Sequence, residues 1–343
     1  MYKTFFIFTM ATLPPSSFSE GKSLLDSTPS GFCLQPCTAP AEFIQDVHEL
    51  INQLWGLPPS KNYVPCPLPC NLERKDLLEL KNNEYFVTPK LDGLRLFLLL
   101  GFTSDTNENY SVFIDRAYNI YTVSVKTSTE SLYDGTLLDG ELDSHGTYHV
   151  FDAVCLSGYK LQNKPFAARL NQFNEALTTL RPPPGLRIKT KDFYSLESVV
   201  EVWDTFKHEC DGLILQPAHA QLKPGIQKYV FKWKPLLHQT IDFYLSLQQG
   251  QVVMECGAGP TIVNANTQGC YWDTTQLSKV SLTTERQVIE CKLTQELFAQ
   301  SGSQYLFTAV KLRGDKVYAN DCRTIQSTLL CIHENIVLEE MLQ

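Results

Sequence analysis

Between residues 41 and 54 apolar side chains recur at Phe43, Ile44, Val47, Leu50, Ile51 and Leu54. That spacing gives an α-helix one apolar face, and Gly56 and Pro58 end it. A second helix is predicted from Leu72 to Leu80. The period then shortens. Tyr85 to Thr88, Leu96 to Phe102, Ser111 to Asp115, Ile120 to Val123, Thr136 to Leu142 and Tyr148 to Val154 are short aromatic, branched or aliphatic runs divided by polar turns, so they predict strands. Helical spacing returns from Phe166 to Leu180 and from Leu196 to Lys207, with the breaker Pro182-Pro183-Pro184-Gly185 between. Gly212 to Gln216 and Tyr229 to Trp233 read as further strands.

The pattern changes again after Pro235. Short strands are predicted at Ile241 to Leu247, Val252 to Glu255, Val288 to Leu293 and Leu306 to Leu312, before a final helix from Thr324 to Leu342. Short strands plus one helix in a segment of this size suit a small barrel. Residues 1–40 are rich in Ser, Thr and Pro and lack periodicity, which predicts a flexible leader. The expected organisation is therefore a leader over 1–40, an α+β domain over 41–237 and a barrel domain over 238–343.

Composition narrows this. The chain has 343 residues, 43% hydrophobic and 19% charged, enough to bury two cores without disulfides or metals. A net charge of −8 argues against a general nucleic-acid coat protein, although a local basic cleft remains compatible with it. Eleven cysteines are an odd number scattered through apolar runs, which fits reduced thiols in an intracellular protein. Cys33/Cys37 and Cys66/Cys70 have spacings atypical of zinc ligands. Met1 to Leu13 is too short an apolar run, without a cleavage site, to read as a secretory signal, and no stretch approaches the length of a membrane span.

The candidate chemistry begins at Lys90-Leu91-Asp92-Gly93-Leu94-Arg95. Lys90 follows a strand-like run beside the turn dipeptide Asp92-Gly93. Cations crowded around a lysine disfavour the ammonium form, and a neutral amine is a nucleophile for phosphorus. A solvated lysine beside a hairpin would explain this element taken alone. Further elements follow in order: Leu138-Asp139-Gly140-Glu141, Phe151-Asp152, Asp211-Gly212-Leu213-Ile214, Lys232-Trp233-Lys234 and Arg313-Gly314-Asp315-Lys316. Lys232 and Lys234 share one side of a strand.

Taken together, from about Leu68 to Val337, these elements resemble the six collinear motifs of the covalent nucleotidyltransferases, which include mRNA capping guanylyltransferases and ATP-dependent polynucleotide ligases. Phe231-Lys232-Trp233-Lys234-Pro235 with Thr240-Ile241-Asp242-Phe243, and Arg313 with Asp315, Lys316, Asn320 and Thr324, resemble the capping forms of the last two motifs. Ile114-Asp115-Arg116 and Lys191-Asp192-Phe193 are also similar to capping segments, and the compact layout is similar to enzymes of large DNA viruses. Gly314 departs from the hydroxyl residue more common there, and Pro89 before the lysine is unusual.

The resemblance implies an ATP-grasp-like nucleotidyltransferase domain with antiparallel sheets and flanking helices, followed by an OB-fold barrel with a terminal helix. It implies that Lys90 attacks the α-phosphate of GTP to form lysyl-GMP with release of pyrophosphate, and that 5′-diphosphate RNA then takes the GMP to make a GpppN cap. Arg95 and Glu141 would hold the ribose, Phe151 would stack on guanine, and Lys191 would meet the guanine oxygen. Lys232 and Lys234 would stabilise the α-phosphate, Arg116 would reach the outer phosphates, and Asp211 would help to hold Mg²⁺ or Mn²⁺. Arg313, Asp315 and Lys316 would orient pyrophosphate when the two domains close together. The family's role implies a separate RNA triphosphatase, a cap methyltransferase and RNA polymerase as partners, no membrane, and a nuclear or cytoplasmic location. A ligase carrying AMP on Lys90, or an inactive relative serving as a binding subunit, are the competing readings.

Overall fold

The computed structural model describes residues 29–58, 64–103, 108–275, 280–299, 302–314 and 316–343. The most apolar stretch of the chain becomes the middle of an eight-stranded sheet. In Leu94–Thr103, Leu96, Leu98 and Leu100 enter one core while Phe97 and Leu99 enter another, and all five are buried. A strand apolar on both sides must be covered on both. Helix Ala41–Trp55 covers one face through Val47, Ile51 and Leu54, and Gly56, with φ of 70°, ends it where the spacing predicted. Helix Phe166–Leu177 covers the other face through Phe173 and Leu177.

From one edge the strands run Gln35–Pro36, Ile120–Thr122, Glu108–Ile114, Leu94–Thr103, Thr136–Leu142, Thr147–Leu156 and Tyr159–Lys160, with antiparallel neighbours throughout. Arg187–Thr190 joins in parallel beside Thr147–Leu156. A second sheet of five strands runs Tyr194–Ser195, Tyr85–Leu91, Cys210–Pro217, Gly225–Trp233 and Pro67–Asn71. Its Val87, Leu213, Leu215, Phe231 and Trp233 pack with Val199 and Val202 of helix Val199–Phe206. A third, six-stranded sheet runs Thr261–Asn264, Gln251–Ala258, Thr240–Gln248, Gln287–Ala299, Gly302–Leu312 and Cys270–Trp272. It closes its own core around Phe243, Ile289 and Phe307, with Ile325, Leu329 and Ile332 from helix Cys322–Glu334.

The structure departs from the sequence reading in several places, among them the strands Pro67–Asn71, Thr261–Asn264 and Cys270–Trp272, which the pattern did not announce. Residues 1–28 of the expected flexible leader lie outside the described residues, but 29–40 are built in. Phe32 and Leu34 are buried in the first core, and Gln35–Pro36 pairs with Ile120–Thr122. The helix expected at 72–80 is a 3₁₀ turn, Arg74–Asp76, followed by a short helix, Leu77–Asn82. Asp76 takes the Glu73 N–H (3.0 Å) and so fixes the start. Arg187–Thr190 is a strand that alternating charge and apolar residues could have announced, but the preceding prolines masked it.

The final helix ends at Glu334, because Asn335 turns left-handed with φ of 41°. A separate 3₁₀ turn, Leu338–Leu342, follows. Ile336, Leu338 and Met341 leave the six-stranded unit and bury against the second sheet. The indole N–H of Trp233 donates to Ile336 O (2.7 Å), and Arg74 donates to Glu334 O (3.0 Å) and pairs with Glu340 (2.5 Å). The segment expected as 238–343 thus returns its last residues to the sheet that it left. None of the eleven cysteines is in a disulfide, and no described helix is long and apolar enough to cross a membrane.

Candidate active site

Asp92-Gly93 is a crossing between sheets, where the sequence alone suggested a hairpin turn. Tyr85–Leu91 carries Lys90 in the second sheet, and the chain restarts as Leu94–Thr103, carrying Arg95, in the first. The crossing is tight. A Cβ on Gly93 would lie 2.6 Å from Leu142 O and 2.9 Å from Glu141 Cγ, so only glycine fits. Its N–H donates to Glu141 Oε1 at 3.0 Å, which ties the crossing to the strand Thr136–Leu142.

The second sheet supplies a cluster of lysines. Lys90 Nζ stands 2.8 Å from Asp211 Oδ1, and Lys234 Nζ stands 2.5 Å from Asp211 Oδ2. Burial pushes the Asp211 carboxyl up, but Lys234 and Lys90 outweigh it and hold it below the usual carboxylate range. The Lys90 contact is an ion pair without a well-directed hydrogen bond, so Oδ1 is a buried acceptor with lone-pair capacity to spare. Lys232 is driven below the ordinary lysine range by burial first, then by the charges of Lys234 and Lys90. Gly212 makes the approach possible, since a Cβ there would lie 2.2 Å from Trp233 O.

The first sheet supplies a clamp. Arg95 donates to Asp139 through Nε (3.0 Å) and Nη2 (2.6 Å), and to Pro67 O through Nη1 (2.7 Å). Burial pushes Asp139 up to about 6 against the pull of Arg95, so at neutral pH the pair stays ionised. Burial alone would lower the Arg95 pKa, but Asp139 more than offsets it. Arg95 lies 5.2 Å from the centre of the Phe151 ring, and Lys191 Nζ lies 5.6 Å from it. Lys191 is 6% exposed, and among the described residues no carboxylate forms an ion pair with it. Burial lowers its pKa, against the pull of Glu141, and Lys90 and Arg95 lower it further. One ammonium that feels groups from both sheets places Lys90, Arg95, Glu141, Phe151, Lys191, Asp211, Lys232 and Lys234 in one locality.

The remaining residues are arranged differently. Arg116 is exposed on a turn closed by Asp115, whose Oδ1 accepts the N–H groups of Ala117 (2.8 Å) and Asn119 (2.9 Å). It shares the neighbourhood of Arg95, since both charges act on the buried Cys66 thiol, which burial pushes up to about 11. Arg313 and Lys316 sit on the six-stranded unit, where both bind Asp242, Arg313 at 3.2 Å. No ion pair among the described residues joins them to the Lys90 cluster. Asp315 lies outside the described residues.

Sequence reasoning missed two supports. Asp139 sits inside a quoted motif, yet only its burial beneath Arg95 reveals its task. Asp152, next to Phe151, receives Nε and Nη2 of the buried Arg169, both at 2.8 Å. No local pattern flags Arg169. For a divalent cation, the described residues hold no cluster of three or more His, Cys, Asp or Glu. Asp211, a carboxylate set between Lys90 and Lys234, fits an ion held jointly by one carboxylate and phosphate oxygens.

The model of the family described as mRNA capping enzyme, catalytic domain, matches residues 33–236. The chain is 30% identical over 244 residues to the mRNA-capping enzyme subunit alpha of Saccharomyces cerevisiae, covering 61% of this chain and 53% of that protein. It is 29% identical over 245 residues to the Kluyveromyces lactis protein of the same name, with 61% and 53% covered. The chain therefore spans about half the length of these curated relatives. With the mRNA-capping enzyme subunit alpha of Schizosaccharomyces pombe it shares 25% identity, covering 89% of this chain and 85% of that protein. Among solved structures, mycobacterial DNA ligase D complexed with ATP and MES aligns over 73% of this chain and 95% of its own, with 15% identity and a TM-score of 0.40. The ATP-dependent DNA ligase of bacteriophage T7 in complex with ATP aligns over 73% and 98%, with 13% identity and a TM-score of 0.37.

Proposed function

The chain belongs to the family of the mRNA capping enzyme catalytic domain, and on that premise we propose that it is an mRNA guanylyltransferase. Lys90 Nζ, once it has given up its proton, attacks the α-phosphorus of GTP. The P–N bond forms as the bond to pyrophosphate breaks. A terminal oxygen of the RNA 5′-diphosphate then attacks the GMP phosphorus, and the P–N bond breaks as the new P–O bond forms, giving GpppN and returning the Lys90 amine.

The observation that carries this reading is the division of labour across the two sheets. Lys90, Lys232 and Lys234 gather on one, as a polyphosphate requires. On the other, Phe151 offers a flat face for a purine. Beside it Lys191 is a buried cation without a carboxylate among the described residues, suited to the guanine carbonyl oxygen. Arg95, locked by Asp139, and Glu141 flank the position of the ribose. Asp211 would hold Mg²⁺ or Mn²⁺ together with the phosphates, and the ion would supply charge neutralisation there. Arg116 would reach the outer phosphates, and Arg313, Asp315 and Lys316 would orient pyrophosphate.

We read the division near Leu237 as a domain boundary and the six-stranded unit with its helix as an OB-type barrel. Its Arg313 and Lys316 would exchange Asp242 for pyrophosphate as the two units approach. A separate RNA triphosphatase and a cap methyltransferase would act before and after, at RNA polymerase in the nucleus or at a cytoplasmic site of transcription.

Incubation with α-labelled GTP or ATP and a divalent metal tests the reading. Alkali-stable, acid-labile label from GTP that is lost in Lys90→Ala is expected. Label from ATP alone would make the protein a ligase-type enzyme, and label retained in Lys90→Ala would move the nucleophile elsewhere.

A further inference from the structure

A cavity of about 560 Å³ opens among Asp143, Thr147, His149, Leu186, Arg187 and Lys189. None of these residues has a part in the nucleotide chemistry above. Strand register shows how the cavity relates to that site. Lys189 lies opposite His149, His149 opposite Glu141, and Glu141 opposite Arg95. Cross-strand partners share a face, so the row runs from the ribose clamp into the cavity. The alternate residues Tyr148 and Val150 point the other way, into the core.

The edge strand repeats one chemistry along this face. In Arg187-Ile188-Lys189-Thr190-Lys191 the cations fall at every second residue, and the bond from Lys191 N to Val150 O (2.8 Å) continues the ladder past Thr190. Side chains two residues apart on a strand are roughly 7 Å apart, comparable to the phosphate spacing of an extended single strand. Lys191 belongs to the nucleotide pocket, while Arg187 and Lys189 are exposed beyond it.

These charges are available. Among the described residues Arg187 has no ion pair. Lys189 has only an exposed pair with Asp192 at 3.2 Å, of a kind that contributes little and exchanges readily for phosphate. The cavity's own anion, Asp143, is already engaged: it accepts the N–H groups of His145 and Thr147, both at 2.8 Å, and lies 2.9 Å from His149 Nε2. A protein of net charge −8 thus keeps a cationic ladder leading away from its nucleotide pocket.

We propose that Arg187 and Lys189 bind the first phosphodiesters of the acceptor RNA, which runs along this strand as it approaches lysyl-GMP. The proposal rests on the guanylyltransferase reading. Side chains that grip phosphates in this way position a strand without reading its sequence.

The test compares wild type with Arg187→Ala/Lys189→Ala and with the charge-conserving Arg187→Lys/Lys189→Arg. Three quantities are measured: lysyl-GMP formation from GTP, transfer to a short 5′-diphosphate RNA or to a nucleoside diphosphate, and anisotropy of the labelled RNA across a salt series. In the alanine pair, lysyl-GMP formation and transfer to the nucleoside diphosphate should be unchanged. The KM for RNA should rise about tenfold, and the slope of log affinity against log salt should fall by about 1.4, roughly 0.7 for each phosphate no longer neutralised. The charge-conserving pair should behave as wild type. Unchanged RNA affinity and salt slope in the alanine pair overturn the proposal. Failure of wild type to form lysyl-GMP would defeat the guanylyltransferase reading, while the anisotropy series still judges the groove alone.

Discussion

Arg95 and Asp139 meet diagonally across neighbouring strands, one pair out of register, and are joined by two hydrogen bonds, of 3.0 and 2.6 Å, with the carboxylate wholly buried. Removing one partner strands the other charge away from water. Asp139→Asn is therefore expected to destabilise the protein by about 3–5 kcal/mol and to lower Tm by on the order of 10 °C. Calorimetry checks this. An unchanged Tm would mean that water reaches Arg95 in place of its partner.

Lys191 should govern the choice of base. Lys191→Ala is expected to lower the rate of covalent labelling from GTP by about 10²-fold, because a buried polar recognition group is lost. Labelling from ATP should change little. Competition between the two labelled nucleotides reads the ratio directly, and equal losses for both would remove Lys191 from base selection.

The pH dependence follows from Lys232. Burial, with Lys234 and Lys90, lowers its pKa, so as pH rises its charge is lost earlier than that of an ordinary lysine. Activity that needs this charge declines over the same range. Arginine stays charged there, so the ratio of Lys232→Arg to wild-type labelling should climb as pH rises from neutrality towards the ordinary lysine range. A flat ratio would show that the charge of Lys232 is not used.

Asp211 should set the metal requirement. Asp211→Asn is expected to raise the divalent-ion concentration for half-maximal labelling by at least about tenfold. Titration with Mg²⁺ and Mn²⁺ measures it, and an unmoved midpoint assigns Asp211 to lysine pairing alone.

Gly212 is a geometric requirement. In Gly212→Ala the new Cβ would meet Trp233 O at 2.2 Å and force the two strands apart, at a cost of about 1–3 kcal/mol. Labelling should fall with stability, since Asp211 and Lys234 are displaced together. Melting and labelling rates on the same sample check both.

Much of this site is written in short local patterns. Lys90, Arg95, Glu141 and Asp211 lie in strand-and-glycine contexts, and Lys232 and Lys234 alternate along one strand, patterns that a single pass along the chain exposes. What the patterns lacked was the third dimension. Asp92-Gly93 reads as a turn because a turn and a crossing between sheets need the same permissive backbone. Only pairing register shows that Lys90 and Arg95 stand on different sheets. Arg169 is a helical arginine like many others until Asp152 is found beside it. Periodicity also ran the final helix through Asn335, since a left-handed stop leaves the apolar spacing of Ile336, Leu338 and Met341 intact.

The returning C-terminal segment carries a mechanical consequence. The chain leaves the second sheet just after Trp233 and comes back at Ile336, and these two residues are bonded to each other at 2.7 Å. Exit and return therefore coincide. Helix Cys322–Glu334 reinforces the same junction, since Asn71 Nδ2 donates to Ser327 Oγ at 2.8 Å and Arg74 N to Glu334. Lys232 and Lys234 flank Trp233 directly, so the strand that presents them is tied down where both ends of the six-stranded unit are fastened.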